Sequence, residues 1–357
     1  MKRGMLNLVG RSGNPIPASN RSWALFNEEL PTMDCVGSMT REDPMKCEIR
    51  RTVSEGEKMR KLHHAFSIII PLILGFSLTS IAGAQTPQDS VAAMARAFKG
   101  AVGIYAINLT NGDTISYNAE KMFPTASVIK IYVLAKLYQE INEGKLSMND
   151  EVVLHDSDKV PGSGILLFMH GGMKLTLGDL SWLMTNMSDN VAANLLTDEV
   201  GGVMKVTEFI RSLGFRHTME LAKIFDKDVY SDSTLRKVYG IGVTTPRETA
   251  AFLEELYQGK IVDKKSSQAM IKLMEYQFYN TSIPRFLPTY RDTIEIAHKT
   301  GALDATRNDC AIIYTPRTNY VLCVFTTHNK DRRWITDNDA EVFIGKVSLL
   351  IYNHFVK

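Results

Sequence analysis

Three short motifs hold the side chains of this sequence that could do chemistry together. In chain order they are Ser127-Val128-Ile129-Lys130, Ser188-Asp189-Asn190 and Lys299-Thr300-Gly301. A serine hydroxyl becomes an effective nucleophile beside a base, and a buried lysine that has lost its proton can be that base. The set therefore fits acyl transfer to a serine, with a second hydroxyl to carry a proton and a second lysine to hold an anion.

The first motif lies at the start of a predicted helix that runs from Ser127 to about Glu143. Residues three apart share one helix face, so the amine of Lys130 can reach the hydroxyl of Ser127. A helix N-terminus also favours negative charge, and the N–H of Ser127 can donate to an oxyanion there. Taken alone, the motif is more simply explained by a capping serine and an exposed lysine.

The second motif falls where two predicted helices meet, one ending near Met187 and one running from Asp189 to Val200. The hydroxyl of Ser188 could relay a proton to a leaving group, and Asn190 could donate to substrate or to Lys130. Serine and aspartate are also favoured helix caps, which is the simpler interpretation of this motif in isolation.

The third motif ends a predicted strand, Thr293–Lys299. A lysine and a threonine hydroxyl at a strand edge can hold a substrate carboxylate, and Gly301 lets backbone approach closely. The N–H of Ala302 could be a second oxyanion donor. A strand-end turn would explain the same residues without any function.

The conjunction of the three motifs resembles the class A β-lactamase family, within the penicillin-recognising serine hydrolases. The resemblance extends to the run Phe123–Ser127, the run Ser188–Leu196 and the pair Thr245-Pro246. It covers nearly all of residues 85–357, and it implies a serine hydrolase that opens β-lactam amides through an acyl-serine intermediate.

The resemblance also implies roles for individual residues. Ser127 would be the nucleophile, Lys130 the general base and Ser188 the proton shuttle. The substrate-binding groups would be Asn190, Lys299, Thr300, Gly301 and the N–H of Ala302. Arg307, on the following strand, could assist carboxylate binding or could be a surface arginine.

One family feature is not visible in the sequence. Class A enzymes carry a loop glutamate, in a Glu-x-x-Leu-Asn pattern, that activates the deacylating water. Counting forward from Leu213-Gly214 places Ile224 at that position, and the nearest acids are Glu220, Asp226 and Asp228. Asp226 could serve if the loop shifts, although a displacement of about 1 Å can cost about 100-fold in rate. The alternatives are therefore a penicillin-binding-protein-like peptidase or esterase, or an acylated sensor without turnover.

The order of predicted elements indicates an α+β fold. Two strands come first, then a run of helices, then three strands and a closing helix, so both chain ends can share one antiparallel sheet with flanking helices. We expect an α+β lobe from residues 85–124 and 243–357, and an inserted all-helical lobe from residues 125–242. A cleft between the lobes is the expected place for a site.

The N-terminal part of the chain is typical of an export signal, preceded by residues that do not belong to that signal. Residues 59–84 have a basic start, an apolar stretch and the small residues Ala82-Gly83-Ala84 before Gln85, which is the pattern of a cleaved signal peptide. A transmembrane anchor is the alternative, but Pro71 and Gly75 interrupt the apolar stretch. We expect residues 1–58 not to be part of the working protein, and we expect a periplasmic or secreted enzyme.

Composition and charge exclude some functions. The 357 residues are 45% hydrophobic and 22% charged, and 11 of the 41 Lys and Arg residues lie in residues 1–84, so the remainder is close to neutral. No basic face for nucleic acid, no metal site and no cofactor is expected, and we expect a monomer. Cys310 and Cys323 are either a disulfide or two small buried hydrophobic residues.

Overall fold

A computed structural model of the chain describes residues 86–226, 231–289 and 293–357. The predictions for residues 1–58 and 59–84, and the candidate acid Asp228, lie outside these residues. The described helices are α1 (Pro87–Ala97), α2 (Lys130–Asn142), α3 (Leu177–Asn186), α4 (Asn190–Glu199), α5 (Val203–Ser212), α6 (Ser233–Tyr239), α7 (Pro246–Tyr257), α8 (Lys264–Met274) and α9 (Asp339–Val356). The described strands are β1 (Ala101–Asn108), β2 (Thr114–Tyr117), β3 (Phe123–Pro124), β4 (Glu151–Val153), β5 (Lys174–Thr176), β6 (Met219–Glu220), β7 (Gly242–Thr244), β8 (Glu295–Leu303), β9 (Thr306–Tyr314) and β10 (Tyr320–Thr327).

The central element is an antiparallel sheet made from both ends of the described chain. Its strand order is β2-β1-β10-β9-β8, so β1 from the start pairs with β10 from the end. This confirms the predicted α+β architecture. The third motif lies inside the edge strand β8 and not at its end, because β8 continues past the glycine to Leu303 and pairs with β9 over its whole length.

Side chains alternate between the two faces of the sheet, and each face packs on different helices. One face carries Ile104 and Val324 and packs on α1 and α9 through residues such as Val91 and Ile344. The other face carries Ala297 and Ile312 and belongs to the cluster that includes α2. All α2 residues from Ile131 to Leu137 are buried, so α2 is the central helix of the helical part.

Local sequence signals explain where several helices begin. Thr176 accepts from the N–H of Asp179 and forms a full capping box at the start of α3, and Asp189 caps α4 through the N–H of Ala192. Each cap of this kind contributes about 1 kcal/mol to stability. The sequence pattern predicts a helix over Lys264–Phe278, whereas α8 ends four residues earlier, at Met274. The short strands β3 to β7 and helix α6 are not among the predicted elements.

Glu248 departs from its predicted role. The sequence predicts a capping box in which Glu248 accepts from the N–H of Thr245. Thr245 does cap α7 through the N–H of Glu248. The carboxylate of Glu248 instead accepts from the N–H groups of Arg216 and His217, and from the hydroxyl of Thr218 at 2.7 Å. Glu248 thus accepts from several donors of the loop before β6 rather than from one N–H at the cap.

Cys310 and Cys323 lie directly opposite each other on β9 and β10. Both are fully buried and free. Burial, followed by the neighbouring Cys323, raises the pKa of Cys310 well above its ordinary value, so the thiol is inert at neutral pH. In this structure they are two small buried side chains, as the second interpretation expected. Among the described residues no helix is long and apolar enough to cross a membrane.

We predict that Glu248→Gln lowers the free energy of unfolding by about 1.5–3 kcal/mol, the range for hydrogen bonds to a charged group. Burial raises the pKa of Glu248, but the hydrogen bonds from Thr218 and His217 lower it by a larger amount. The net shift of the pKa is therefore downward. The stabilisation should therefore be present above the ordinary pKa of a glutamate and disappear as pH falls through the lowered value. Urea unfolding at neutral and acidic pH measures this, with the exposed Glu199→Gln as the control. Equal midpoints for the two variants would contradict the assignment.

Candidate active site

Ser127 lies in a 3-10 turn, Ala126–Ile129, that leads directly into α2. Ala126 has a φ of +46°, a left-handed conformation that costs a non-glycine residue about 1–3 kcal/mol. Ser127 is half-buried and so remains accessible, while its neighbours Ala126 and Val128 are fully buried. The N–H groups of a first helical turn have no intrahelical acceptor, which suits the predicted oxyanion role of Ser127.

Gly301 and Asn308 hold this turn against the sheet. A Cβ atom at Gly301 would lie 2.5 Å from the carbonyl oxygen of Thr125 and 3.2 Å from the nitrogen of Ser127, so only glycine permits this contact. Asn308, opposite Gly301 on β9, donates through Nδ2 to the carbonyl oxygens of Pro124 and Thr125 at 2.8 and 3.0 Å. No sequence pattern pointed to Asn308, because its partner Pro124 lies 184 residues away.

Lys130 is 1% exposed and its amine is directed at the second motif. Nζ donates to the carbonyl oxygen of Ser188 at 2.5 Å and to Oδ1 of Asn190 at 2.9 Å. It also lies 3.3 Å from Oγ of Ser188, and no hydrogen bond joins it to Ser127 among the described residues. Burial, followed by the charge of Lys299, lowers the pKa of Lys130 well below its ordinary value, with Asp189 opposing them. Lys130 therefore meets the electrostatic requirement for a general base.

Ser188 lies between two lysine amines. Its Oγ accepts from Lys130 and, at 3.1 Å, from Nζ of Lys299. A hydroxyl has two lone pairs and one proton, so with both lone pairs engaged the proton is left to donate elsewhere. Ser188 also has a φ of +53°, which fixes the residue at the junction of α3 and α4 in a strained conformation. This arrangement fits a residue that hands on a proton.

Lys299 is fully buried on β8, and Nζ also donates to the carbonyl oxygen of Thr300 at 3.0 Å. Burial lowers the pKa of Lys299 to about 7, against the raising effect of Asp309. Thr300 and Ala302 are half-buried on the same strand. The structure thus brings together Lys130, Ser188 and Lys299 by direct hydrogen bonds, and Gly301 by its contact with the Ser127 turn.

A loop that the sequence did not predict supports the second motif. Ser163 donates to the carbonyl oxygen of Ser188 at 2.6 Å, and Asp189 accepts from the N–H groups of Ile165 and Leu166 at 2.7 and 2.9 Å. Gly164 has a φ of +105°, and a Cβ there would lie 2.2 Å from the carboxyl group of Asp189. The run of turn-forming residues Pro161–Gly164 is the sequence signal that could have predicted this loop.

Asn190 is engaged differently from its predicted contacts. Its Oδ1 accepts from Lys130, whereas the sequence analysis considered donation to Lys130. Its Nδ2 donates to the carbonyl oxygen of Pro161 at 2.9 Å. An ammonium or amine donates N–H to an amide oxygen, so the observed direction follows from the chemistry of Lys130. Asn190 thereby positions Lys130 and the loop together.

The loop beyond α5 places Ile224 in a fixed backbone position. Asn194, one turn after Asn190 on α4, donates to the carbonyl oxygen of Ile224 at 2.9 Å and accepts from its N–H at 2.8 Å. The side chain of Ile224 packs on the main core cluster, so no carboxylate occupies this position. Phe225 follows with a φ of +59° and is 64% exposed.

The two described acids of this loop have different surroundings. Glu220 is buried, accepts from the hydroxyl of Thr197 at 3.1 Å, and has its pKa raised to about 8 by burial. It is therefore protonated at neutral pH and cannot act as a carboxylate base. The carboxylate of Asp226 is 26% exposed and lies 3.9 Å from Nζ of Lys223.

Arg307 is not brought to this group of residues. It is 3% exposed, its guanidinium donates to the carbonyl oxygens of Thr306 and Arg333 at 2.8 and 3.0 Å, and it stacks 4.4 Å from the ring of Trp334. Its remaining partners are the carbonyl oxygen of Leu303 and the carboxylate of Glu341. These contacts correct the expectation that Arg307 assists a substrate carboxylate, because they occupy the guanidinium at the β8–β9 turn.

No group of three or more His, Cys, Asp or Glu side chains within the described ranges could hold a metal ion.

The chain is similar to known β-lactamases in both sequence and structure. A family model described as "Beta-lactamase enzyme family" matches residues 86–355. β-Lactamase CARB-3 of Pseudomonas aeruginosa is 25% identical over 81% of this chain and 96% of its own length. The carbapenem-hydrolyzing β-lactamase KPC of Klebsiella oxytoca is 28% identical over 78% of this chain and 91% of its own length. The crystal structure of a β-lactamase from Sphaerobacter thermophilus has a TM-score of 0.68 and 30% identity, covering 76% of this chain and 98% of that one.

The two amines predict a bell-shaped pH dependence for acylation of Ser127. A base role needs neutral Lys130, so the rate should fall as pH drops through its lowered pKa. Holding a carboxylate needs charged Lys299, so the rate should also fall as pH rises through about 7. The second-order acylation rate reports these groups in the free enzyme.

Lys299→Arg tests the alkaline side of this profile. A guanidinium keeps its charge, so the acylation rate of the variant should no longer fall above about pH 7. The decrease in rate at acidic pH should remain. The measurement is acylation by a carboxylate-bearing acyl compound followed from about pH 5 to pH 10, the range that spans both lysines. An unchanged alkaline limb in the variant would remove Lys299 from the profile.

Proposed function

Because the chain belongs to the beta-lactamase enzyme family, we propose that it is a serine hydrolase of class A type that opens β-lactam amides through an acyl-serine on Ser127. The observation that carries the proposal is the hydrogen-bonded group of Lys130, Ser188 and Lys299 beside the Ser127 turn. The curated relatives CARB-3 and KPC are named β-lactamases, so the peptidase, esterase and sensor alternatives are not favoured.

In the proposed acylation step, neutral Lys130 takes the proton of the Ser127 hydroxyl as the serine oxygen attacks the lactam carbonyl carbon. The N–H groups of Ser127 and Ala302 would hold the oxyanion, where one donor is typically worth about 2.7–4 kcal/mol of transition-state stabilisation. As the amide C–N bond breaks, Ser188 would give its proton to the leaving nitrogen and regain one from Lys130. The distance of 3.3 Å between Nζ of Lys130 and Oγ of Ser188 supports this relay.

Lys299 would hold the substrate carboxylate, with Thr300 and Gly301 lining the same strand. A substrate carboxylate beside Lys299 favours its charged form, so binding would restore the proton that burial disfavours. A charged Lys299 in turn favours neutral Lys130, because like charges nearby disfavour ionisation. Substrate binding would thus prepare the base as well as orient the lactam.

Release of the acyl group needs a second base, which would activate water. Ile224 has no titratable group and its backbone is held by Asn194, so we propose that release is the slow step. Asp226 is our candidate for the residue that activates the water, because Glu220 is protonated at neutral pH. An aspartate two residues from the expected position would do this less effectively than a correctly placed glutamate.

We further propose that the mature enzyme is exported, acts as a monomer in response to antibiotic and is not membrane-anchored. Residues 59–84 support export because they have the pattern of a cleaved signal peptide. The site would then meet β-lactams in the periplasm or outside the cell.

The first experiment mixes the purified protein with a chromogenic cephalosporin and follows both absorbance and intact mass. We expect a covalent adduct on Ser127 that forms faster than it disappears, together with turnover. Ser127→Ala should lose both the adduct and the turnover, since the nucleophile is gone. A wild-type protein that gives neither signal would remove the β-lactam assignment.

The second experiment tests the release step through Ile224. Ile224→Glu should shorten the lifetime of the adduct by about tenfold or more, because general base catalysis typically contributes 10²–10⁴-fold. Ile224→Gln is the matched control, since it has the same length and no base, and should not shorten the lifetime. Asp226→Asn should lengthen the lifetime in the wild-type background. If Ile224→Glu releases the acyl group no faster than Ile224→Gln, the deacylating water does not lie beside position 224.

A further inference from the structure

His298 precedes Lys299 on β8, so the two side chains face opposite sides of the sheet. His298 is 1% exposed. Its Nδ1 lies 3.0 and 3.2 Å from the two carboxylate oxygens of Asp309, and its Nε2 lies 3.2 Å from Oδ1 of Asn280. None of the acylation chemistry described above uses this residue.

Both ring nitrogens of His298 face acceptors. The amide of Asn280 is oriented by its own Nδ2, which donates to the carbonyl oxygen of Gln277 at 2.9 Å, so Oδ1 is the atom that faces the ring. Asp309 is fully buried and its Oδ2 also accepts from the N–H of Ile283 at 3.0 Å. A neutral imidazole has only one N–H, so it can donate to Asp309 or to Asn280, whereas an imidazolium can donate to both.

The charged groups around the ring are few. Asp309 on β9 is the carboxylate in contact with it, and Lys299 lies on the other face of β8. On α9, the carboxylate of Glu341 accepts from the hydroxyl of Thr281, next to Asn280. A buried imidazolium paired with one buried carboxylate avoids an uncompensated charge, and removing either partner would leave one.

Asn280 and Ile283 belong to a segment, residues 277–283, that wraps around the edge strand β8. Its first part contacts the end of α3, where three groups donate to consecutive carbonyl oxygens. Nε2 of Gln277 donates to the carbonyl oxygen of Thr185 at 3.0 Å. The N–H of Phe278 donates to that of Asn186 at 3.2 Å, and the hydroxyl of Tyr279 donates to that of Met187 at 3.3 Å. Met187 immediately precedes Ser188, so the segment joins the far face of the sheet to the proton-shuttle residue.

We propose that His298 is a positioning residue that, as an imidazolium bonded to Asp309 and Asn280, holds segment 277–283 against α3 and thereby fixes Ser188 between Lys130 and Lys299. The inference rests on the proposed function in one respect, namely that Ser188 serves acylation. The structural part, an imidazolium that anchors the segment, is independent of substrate.

The first test is the protonation state of His298 in the full-length protein. In protein labelled with ¹⁵N-histidine, both ring nitrogens of His298 should show imidazolium shifts at neutral pH, assigned by their loss in His298→Gln. One protonated and one unprotonated nitrogen would overturn the proposal. Hydrogen exchange gives a second readout without substrate, because the amides of residues 185–188 should exchange faster in His298→Gln than in wild type. Unchanged exchange there would also overturn it.

The kinetic test compares acylation rates of wild type, His298→Gln, Tyr279→Phe and the double variant, with the exposed His354→Gln as control. We expect His298→Gln to acylate about 10–100-fold more slowly, the range for a displacement near 1 Å, and the control to match wild type. The effect of Tyr279→Phe should be smaller in the His298→Gln background, since both act through one segment. Additive effects, or a folded His298→Gln with the wild-type rate, would overturn the proposal.

Two further outcomes stay informative. If His298→Gln does not fold, Tyr279→Phe alone tests the positioning role. This variant should fold, because it removes only one hydroxyl from a ring that is 41% exposed. A wild-type acylation rate in Tyr279→Phe would refute the positioning role. A wild-type protein that forms no adduct would refute the proposed function instead, while the nitrogen shifts and hydrogen exchange would still decide whether His298 anchors the segment.

Discussion

The site depends on two lysine amines buried on either side of one hydroxyl. Nζ of Lys130 and Nζ of Lys299 both donate to Oγ of Ser188, and both residues are at most 1% exposed. Burial of a charged amine without a paired anion costs several kcal/mol, so such groups respond by losing a proton. The same burial that costs stability therefore lowers the pKa of Lys130, the proposed base. Helix α2, the α3–α4 junction and strand β8 must all be held rigidly for this to persist, and the surrounding contacts do that.

Backbone conformation contributes as much as side-chain chemistry. Ala126 and Ser188 both adopt left-handed φ values, one immediately before the proposed nucleophile Ser127 and one at the proposed proton shuttle itself. Such residues persist only where neighbouring structure over-determines them. Asn308 and Gly301 secure the first from the sheet, and Ser163 secures the second from the 161–166 loop. Strain at the site is thus balanced by hydrogen bonds from parts of the chain far away in sequence.

The sequence was informative where signals are local. Local patterns predicted α2, α3, α4, the closing helix α9 and the sheet built from both chain ends. The three motifs named Ser127, Lys130, Ser188 and Lys299, three of which the structure joins by hydrogen bonds. It failed where a role depends on a distant partner. Arg307 was expected near substrate, but its carbonyl acceptors and Trp334 hold it at the β8–β9 turn. Asn308 and segment 277–283 gave no local signal, because asparagine and glutamine occur equally well on any surface.

The Asn194 contact has a consequence for how this family member can change. Asn194 recognises Ile224 only through its backbone N–H and carbonyl oxygen, atoms that every residue except proline possesses. The two hydrogen bonds that hold the backbone of residue 224 are therefore available to other side chains at this position. Selection can exchange the chemistry at that point by substituting a single codon without having to rebuild the loop. If position 224 governs release as proposed, one substitution on a backbone that is already held would be enough to change the lifetime of the acyl-enzyme.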